Sequence, residues 1–389
     1  MVETSHHGTP FGDIRLRHWP AADSPGEAGN RDGKRAGTWP TVVLVHGMFG
    51  DVDVWSATAL NLARAGLQVL AADLPGHGES TAEVDTAEQA AQAIGAALDA
   101  WQDASAQAEV MQAEGSSHRA EAAGLASPLA SPASCRAREG GEALQDGQQL
   151  LLVGHSFGAL VATTLAASLE REGRLAGLVL LSPSGLGEEV NRDFLLSVIE
   201  AADDGALARA LEALTVKHYR SSAAYVRAMR ARLLAAQAQL YRLVDDVVDI
   251  TGRQSRSIVE TLDSLSAPVT LVHGREDAVI PWQHALNAPP ATALHLLPGI
   301  GHMPHWEAAD HEHHHPCSRR SGRTALGRVT PFRLPTGQGQ ARPSTSQRPI
   351  TCAPEVTSGV SRTVVLRPFW MSAIRLSAAS TLSLLSSSE

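Results

Sequence analysis

Short apolar runs recur along the chain and alternate with stretches of helical periodicity. Six runs are rich in leucine and β-branched residues, at 41–47 (TVVLVHG), 68–76, 150–154, 177–185, 267–274 and 292–299. Continuous apolar runs of this length are typical of strands buried on both faces, as in a parallel sheet. Helical patterns separate the runs at 54–66, 86–101 and 158–173. This alternation predicts an α/β fold built on a mostly parallel, doubly wound sheet.

Two further segments add to this sheet. Residues 11–21 (FGDIRLRHWPA) alternate between apolar and polar positions and predict an antiparallel edge strand. From about 188 to 262 the pattern is helical throughout, with no strand. A helical insertion of this size predicts a cap over the sheet edge where ligands bind in such folds. The alternative is an embellishment that only packs against the core.

Composition divides the chain further. Residues 103–147 are rich in Ala, Ser, Gly and Glu and predict a flexible low-complexity insertion. Residues 311–389 contain ten arginines, no lysine and thirteen serines, with a net charge of +7, so that residues 1–310 carry about -16. We therefore expect one α/β domain at 1–310, followed by a tail at 311–389 that is either disordered or of unrelated origin.

The bulk composition excludes several function classes. A net charge of -9 argues against a nucleic-acid or anionic-membrane partner. No apolar run reaches the roughly 18 residues that span a bilayer, and no secretory signal is visible, so we expect a cytoplasmic protein. The three cysteines suggest no disulfide framework or CxxC metal site. The tract 311–317 (HEHHHPC) fits no common zinc spacing, so we predict no metal site.

The stretch 150–162 (LLLVGHSFGALVA) places one serine between an apolar strand and an alanine-rich helix. In such a Gly-x-Ser-x-Gly turn, Gly154 and Gly158 leave room for the neighbouring backbone. The turn holds Ser156 in a strained conformation that exposes its hydroxyl. The context favours a nucleophile over a structural turn.

A nucleophilic serine needs a base to accept its proton. His302 follows the last apolar run in a Gly/Pro-rich loop (GIGHMPHWE) and is our candidate. His305 is the nearest alternative, and we expect it to face solvent. His155 adjoins the serine, but its position in the turn directs it away from the hydroxyl.

The base in turn needs a carboxylate that orients it. The segment 271–282 (LVHGREDAVIPW) supplies Glu276 and Asp277 directly after a strand. We predict Asp277, with an Asx-turn residue as the alternative interpretation. The order Ser156, Asp277, His302 is that of one acyl-transfer architecture and differs from the two common protease orders.

Negative charge on a reacting carbonyl oxygen requires fixed hydrogen-bond donors. We expect one donor to be the amide of Phe157, which follows the nucleophile. The second is the amide of Met48, in the loop 45–55 (VHGMFGDVDVW), where His46 and Gly47 shape the turn.

With these motifs in order, the chain resembles the α/β-hydrolase fold family over residues 10–310, the insertion excepted. The family implies an eight-stranded sheet, a cap, a Ser-His-Asp triad, and no metal or organic cofactor. Within it, the stretch 181–201 (LSPSGLGEEVNRDFLLSVIEA) and the helices after it are similar to the hydrolase-like domain of acetoin dehydrogenase acetyltransferase components. Those components also carry a lipoyl domain. Neither lysine here, Lys34 or Lys217, lies in the hairpin setting that a lipoyl group needs, so we expect none.

These observations predict a serine hydrolase that cleaves an ester, thioester or related acyl bond of a small molecule. A C–C bond hydrolase or an acyltransferase with the same triad stays open. So does a subunit associated with an acetoin or 2-oxo-acid dehydrogenase complex. The sequence also leaves open whether the chain forms a homo-oligomer.

Overall fold

The computed structural model describes residues 1–22, 39–122, 149–217 and 219–308. Its centre is a single eight-stranded sheet. In chain order the strands are β1 (Glu3–Thr9), β2 (Gly12–Trp19), β3 (Thr41–Val45), β4 (Val69–Ala72), β5 (Leu150–His155), β6 (Leu175–Leu181), β7 (Val269–Gly274) and β8 (Ala293–Leu297). Their order across the sheet is β1-β2-β4-β3-β5-β6-β7-β8. From β4 to β8 every neighbouring pair is parallel.

Helices connect the strands. Four helices each follow a strand of the sheet: α1 (Ser56–Arg64), α2 (Ala87–Ala122), α3 (Phe157–Arg171) and α9 (Pro304–Glu307). Between β6 and β7 lie α4 (Arg192–Ile199), α5 (Asp204–Glu212), α6 (Ala223–Ala235), α7 (Gln237–Val247) and α8 (Val259–Ser264). The helices α4 to α7 form the cap. Two short 3-10 helices lie at Val52–Trp55 and Trp282–Asn287. The predicted fold class, a mostly parallel sheet with a helical cap, is confirmed.

Alternate side chains of the central strands enter two separate apolar cores. Val43 and Val45 of β3 belong to the core that contains buried residues of α2, α3 and the cap. Val42 and Leu44 belong to the core on the opposite face, with Trp55 and buried residues of α1. A strand that is apolar at every position is therefore explained, because the sheet is covered on both faces.

The structure corrects one sequence-based expectation at the beginning of the chain and adds a strand that was not predicted. The strand predicted at 11–21 exists as β2, but it pairs antiparallel with both β1 and β4 and is not at the edge. The edge strand is β1, which the apolar pattern missed because most of its side chains are exposed or only partly buried. Its backbone hydrogen bonds with β2, and not an apolar face, define it.

The helix predicted at 86–101 is longer than expected. As α2 it runs from Ala87 to Ala122, so that residues 103–122 of the expected flexible insertion are helical. The physical reason is the abundance of alanine, glutamate and glutamine, which have high helix propensities. The remainder of that insertion, 123–147, and the tail from 311 to 389 lie outside the described residues. Within the described residues, no helix is long and apolar enough to cross a membrane.

Candidate active site

Ser156 lies in the turn between β5 and α3, at the carboxyl edge of the parallel strands. Its backbone has φ 53° and ψ -120°, a conformation that is costly for a residue with a side chain. A Cβ atom on Gly158 would lie 2.1 Å from the carbonyl oxygen of His46, and one on Gly154 would lie 2.6 Å from Cα of Ala159. The two glycines therefore let the turn pack against its neighbours, as the sequence motif predicts.

The structure brings the three predicted triad residues together. Nε2 of His302 lies 2.9 Å from Oγ of Ser156, and Nδ1 of His302 lies 2.7 Å from Oδ2 of Asp277. An ionised carboxylate only accepts hydrogen bonds, so Nδ1 carries the proton and Nε2 is free to accept the proton of the serine hydroxyl. All three side chains are buried or nearly so. This geometry can activate the hydroxyl as a nucleophile.

Four donors surround the carboxylate of Asp277. Its Oδ1 accepts hydrogen bonds from the amides of Val279 and Ile280, at 2.8 and 2.9 Å. Its Oδ2 lies within 3.1 Å of Nε2 of His273, in addition to the contact with His302. Burial alone would raise the pKa of Asp277, but interactions with His302 and His273 outweigh it and hold that pKa well below its usual range. The carboxylate is therefore ionised at neutral pH.

The alternatives to these residues have other contacts. Glu276 accepts a hydrogen bond from the amide of Gly299 at 2.7 Å and so supports the loop after β8. His155 lies beside His302, and its Nε2 donates to the carbonyl oxygen of His302 at 2.8 Å. His305 does not face solvent as expected. It is buried against Trp55 with ring centroids 4.4 Å apart, and burial lowers its pKa to about 3.

The amides of Met48 and Phe157 are available as donors. Neither makes a hydrogen bond with another group of the described residues. Phe157 is the first residue of α3, where the helix leaves its amide without an internal acceptor. The positive end of the helix dipole also lies there, which favours negative charge on a bound group. The two amide N–H groups are therefore suited to donate hydrogen bonds to an oxyanion.

A buried polar cluster anchors the loop that carries Met48. His46 is fully buried, and its Nε2 accepts a hydrogen bond from the amide of Leu74 at 3.0 Å. Burial lowers the pKa of His46 to about 4, so the ring is neutral. Asp73 pairs with Arg15 at 2.6 Å and accepts from the amide of Val52 at 2.7 Å. His46 and Asp73 thus connect the loops after β3 and β4, and Gly47 packs against the turn of Ser156.

A cavity opens above Ser156 and His302. It encloses about 770 Å³ of empty space, part of which is open to solvent. Most of its wall is apolar, and the cap contributes Phe194, Leu195, Leu211, Leu214 and Met229. Four hydroxyl-bearing cap residues complete this side, namely Thr215, Tyr219, Ser221 and Tyr225. Among the described residues that line the cavity, none is Asp, Glu, Lys or Arg.

Sequence reasoning missed two sets of residues at this site. One is His273, whose contact with Asp277 joins it to the triad. A signal for it exists, because the Val-His-Gly sequence at the end of β7 also occurs where β3 ends, at residues 45–47. The other set is the cap residues of the cavity wall, which the sequence analysis did not identify. No group of three or more metal-binding side chains occurs within the part of the chain that the structure describes. The tract 311–317 lies outside it.

Comparison with known proteins assigns the chain to a protein family. A family model described as the alpha/beta hydrolase family matches residues 42–312, well over half of the chain. The chain belongs to this family. The resemblance inferred from the sequence motifs is thereby confirmed.

One curated relative is the dihydrolipoyllysine-residue acetyltransferase component of the acetoin cleaving system of Pseudomonas putida, with 29% identity over 277 residues. The match covers 69% of this α/β-hydrolase chain and 60% of the relative. The chain therefore spans less than two thirds of that protein's length.

Two solved structures of hydrolases share the fold. The meta-cleavage product hydrolase of Pseudomonas fluorescens IP01 superimposes with a TM-score of 0.55 and 15% identity, covering 79% of this chain and 94% of that one. A carboxylesterase of Bacillus subtilis gives a TM-score of 0.52 and 15% identity, covering 80% and 88%. At this level of identity the likeness shows the common fold alone.

Proposed function

We propose that the protein is a serine hydrolase that cleaves an ester, thioester or related acyl bond of a small molecule. The observation that carries the proposal is the continuous hydrogen-bonded series from Ser156 through His302 to Asp277 at the base of an apolar cavity. This series provides a nucleophile, a base and an orienting carboxylate within direct contact. Family membership supports hydrolase chemistry in general.

The reaction follows from these positions. Oγ of Ser156 attacks the substrate carbonyl while Nε2 of His302 takes the hydroxyl proton. The amides of Met48 and Phe157 donate to the oxyanion that forms, and each such donor contributes about 100- to 1000-fold in rate. His302 then returns its proton to the leaving oxygen or sulfur, which leaves an acyl group on Ser156. Water activated by the same imidazole attacks the acyl-enzyme and releases the acid. Asp277 stabilises the imidazolium in both steps.

The composition of the cavity wall favours the binding of a neutral acyl group of the substrate. Its lining is largely apolar, and a carboxylate placed in it would lose hydration without gaining a cationic partner among the described residues. Residues 1–310 also carry an excess of negative charge, which disfavours anionic substrates.

Labelling with a fluorophosphonate tests the proposal. We expect intact mass spectrometry to show one adduct per folded chain, and peptide mapping to place it on Ser156. Ser156→Ala is the variant that removes the nucleophile, and it should take up no label while retaining the melting temperature within a few degrees. An unlabelled wild-type protein, or an equal adduct in the alanine variant, would contradict the proposed mechanism.

Acyl transfer to an acceptor other than water is the second candidate. It is favoured by the similarity to an acetyltransferase component of an acetoin cleaving system. The same acyl-enzyme would then be resolved by a thiol or an alcohol. Product analysis with a 4-nitrophenyl ester in the presence of dihydrolipoamide separates the two, because transfer yields an acylated thiol and hydrolysis yields the free acid. Co-purification with dehydrogenase components, without labelling of Ser156, would instead favour a subunit of a larger complex.

A further inference from the structure

His273 is a buried imidazole that the proposed reaction does not use directly. It lies at the carboxyl end of β7 and is completely shielded from solvent. Its Nε2 lies 3.1 Å from Oδ2 of Asp277 and 3.2 Å from the carbonyl oxygen of Ile280. A carbonyl oxygen and a carboxylate only accept, so Nε2 carries a proton and donates to both.

Packing alone does not account for an imidazole at this position. Nδ1 of His273 is buried and has no hydrogen-bond partner among the described residues. An unpaired buried polar atom costs stability, and a leucine of similar volume would leave none. The neighbouring residues of the strand, Leu271 and Val272, are apolar, as is usual for a strand with both faces covered. The contact with Asp277 is the interaction that only a donor can make.

The contact acts on the oxygen that orients the catalytic base. Oδ2 of Asp277 receives Nδ1–H of His302 and Nε2–H of His273, whereas Oδ1 is held by two backbone amides. Without His273, the amides would still hold Oδ1, but only the His302 side chain would hold Oδ2. The carboxylate could then turn about its Cβ–Cγ bond, and the imidazole of His302 would lose its fixed direction toward Ser156.

We propose that His273 is a positioning residue that holds Oδ2 of Asp277 in the plane required by His302. The proposal rests on the proposed hydrolase function, because it concerns the same triad. It predicts an effect on kcat and not on KM, since His273 does not line the cavity and therefore does not contact substrate.

The test compares two substitutions of similar size. In His273→Leu the donor is lost, and we expect kcat with a 4-nitrophenyl ester to fall about 10- to 100-fold, with KM changed less than twofold. The rate constant for fluorophosphonate labelling should fall by the same factor. In His273→Gln the side-chain amide nitrogen occupies the place of Nε2, and both constants should stay within threefold of wild type. The low-field proton resonance of Nδ1–H in His302 should shift in the leucine variant and return in the glutamine variant.

Each outcome decides the proposal. A leucine variant with wild-type kcat and labelling rate would overturn it, and so would equal losses in the leucine and glutamine variants. Should the leucine variant not fold, His273→Asn replaces it, because its amide is too short to reach Oδ2. Failure of the wild-type protein itself to label would refute the proposed function and is recognised before any His273 variant is measured.

Discussion

Arg232 and Asp51 form an ion pair that joins the cap to the loop carrying Met48. Nη2 of Arg232, on α6, lies 2.6 Å from Oδ2 of Asp51. The Asp51 side chain is only 3% exposed and also accepts from the amide of Asp53, so it begins the 3-10 helix after that loop. Met229 and Tyr225, one and two turns before Arg232 on the same helix, line the cavity. One ion pair therefore connects the cavity wall with the loop that carries Met48.

Removing the guanidinium of Arg232 should weaken both the cap and the loop that carries Met48. In Arg232→Met the buried carboxylate of Asp51 loses its partner, and we expect the free energy of unfolding to fall by about 1–3 kcal/mol. KM should rise, because α6 is released from the loop below it. Urea denaturation and steady-state kinetics measure the two effects.

A second arginine of α6 provides the matched control. Arg227 is 76% exposed and lies 3.7 Å from Asp204, so its ion pair is screened by solvent. Arg227→Met should change the free energy of unfolding by less than about 0.5 kcal/mol and leave KM unaltered. Similar losses in both variants would show that Arg232 contributes general surface charge and no specific connection.

Buried neutral histidines should make stability depend on pH. Burial is the main cause that lowers the pKa of His46 to about 4 and that of His77 and His305 to about 3. In the unfolded chain these rings titrate near pH 6.5, at about the ordinary value. Below that pH the unfolded state binds protons that the folded state does not. The free energy of unfolding therefore falls as the pH is lowered from about 6.5 toward about 4.

The slope of the free energy of unfolding against pH approaches about 1.4 kcal/mol per pH unit for each such histidine. Burial raises the pKa of the Asp51 and Glu307 carboxyls. These two groups act in the opposite sense, because they lower the free energy of unfolding as the pH rises through their folded-state pKa. Urea denaturation between about pH 7.5 and about pH 5.5 measures the sum. In His77→Asn the amide can replace Nδ1–H, which donates to the carbonyl oxygen of Pro75, and the slope should decrease. A free energy of unfolding that stays constant or rises as the pH is lowered over this range would contradict the expectation.

The parts of the site that the sequence predicted are those determined by local geometry. The turn at Ser156 requires glycine at Gly154 and Gly158 because the neighbouring backbone leaves no room for a Cβ atom. The positions of Asp277 and His302 follow from strand ends that meet at one edge of a parallel sheet. Such features depend on residues that are close in sequence or on strand order alone.

One part that was missed depends on a pair far apart in the chain. Arg232 and Asp51 are separated by 181 residues, and their contact depends on how the cap lies over the sheet. Nothing in the periodicity of α6 gives that orientation, since apolar and charged residues occur around the whole helix. The strand β1 was missed for a different reason, because it is held by backbone hydrogen bonds and buries little apolar surface.

Met229 offers a direct test of whether the cap determines acyl-chain preference in the proposed reaction. It is buried at 4% exposure and lines the cavity from α6. Met229→Ala enlarges the cavity, and we expect kcat/KM to improve for longer 4-nitrophenyl esters relative to the acetate. Each additional methylene that is buried contributes about 0.8 kcal/mol, or roughly fourfold. Met229→Phe fills the same space and should shift the preference toward shorter chains.

Leu234, on the same helix, is 48% exposed and does not line the cavity. Leu234→Ala therefore controls for effects on α6 itself and should leave the chain-length profile unchanged. A profile that is the same in wild type, Met229→Ala and Met229→Phe would show that the acyl group binds elsewhere, because opposite changes of volume in its binding site cannot leave its preference constant. A profile altered equally by Leu234→Ala would assign the effect to the stability of the helix and not to the cavity wall.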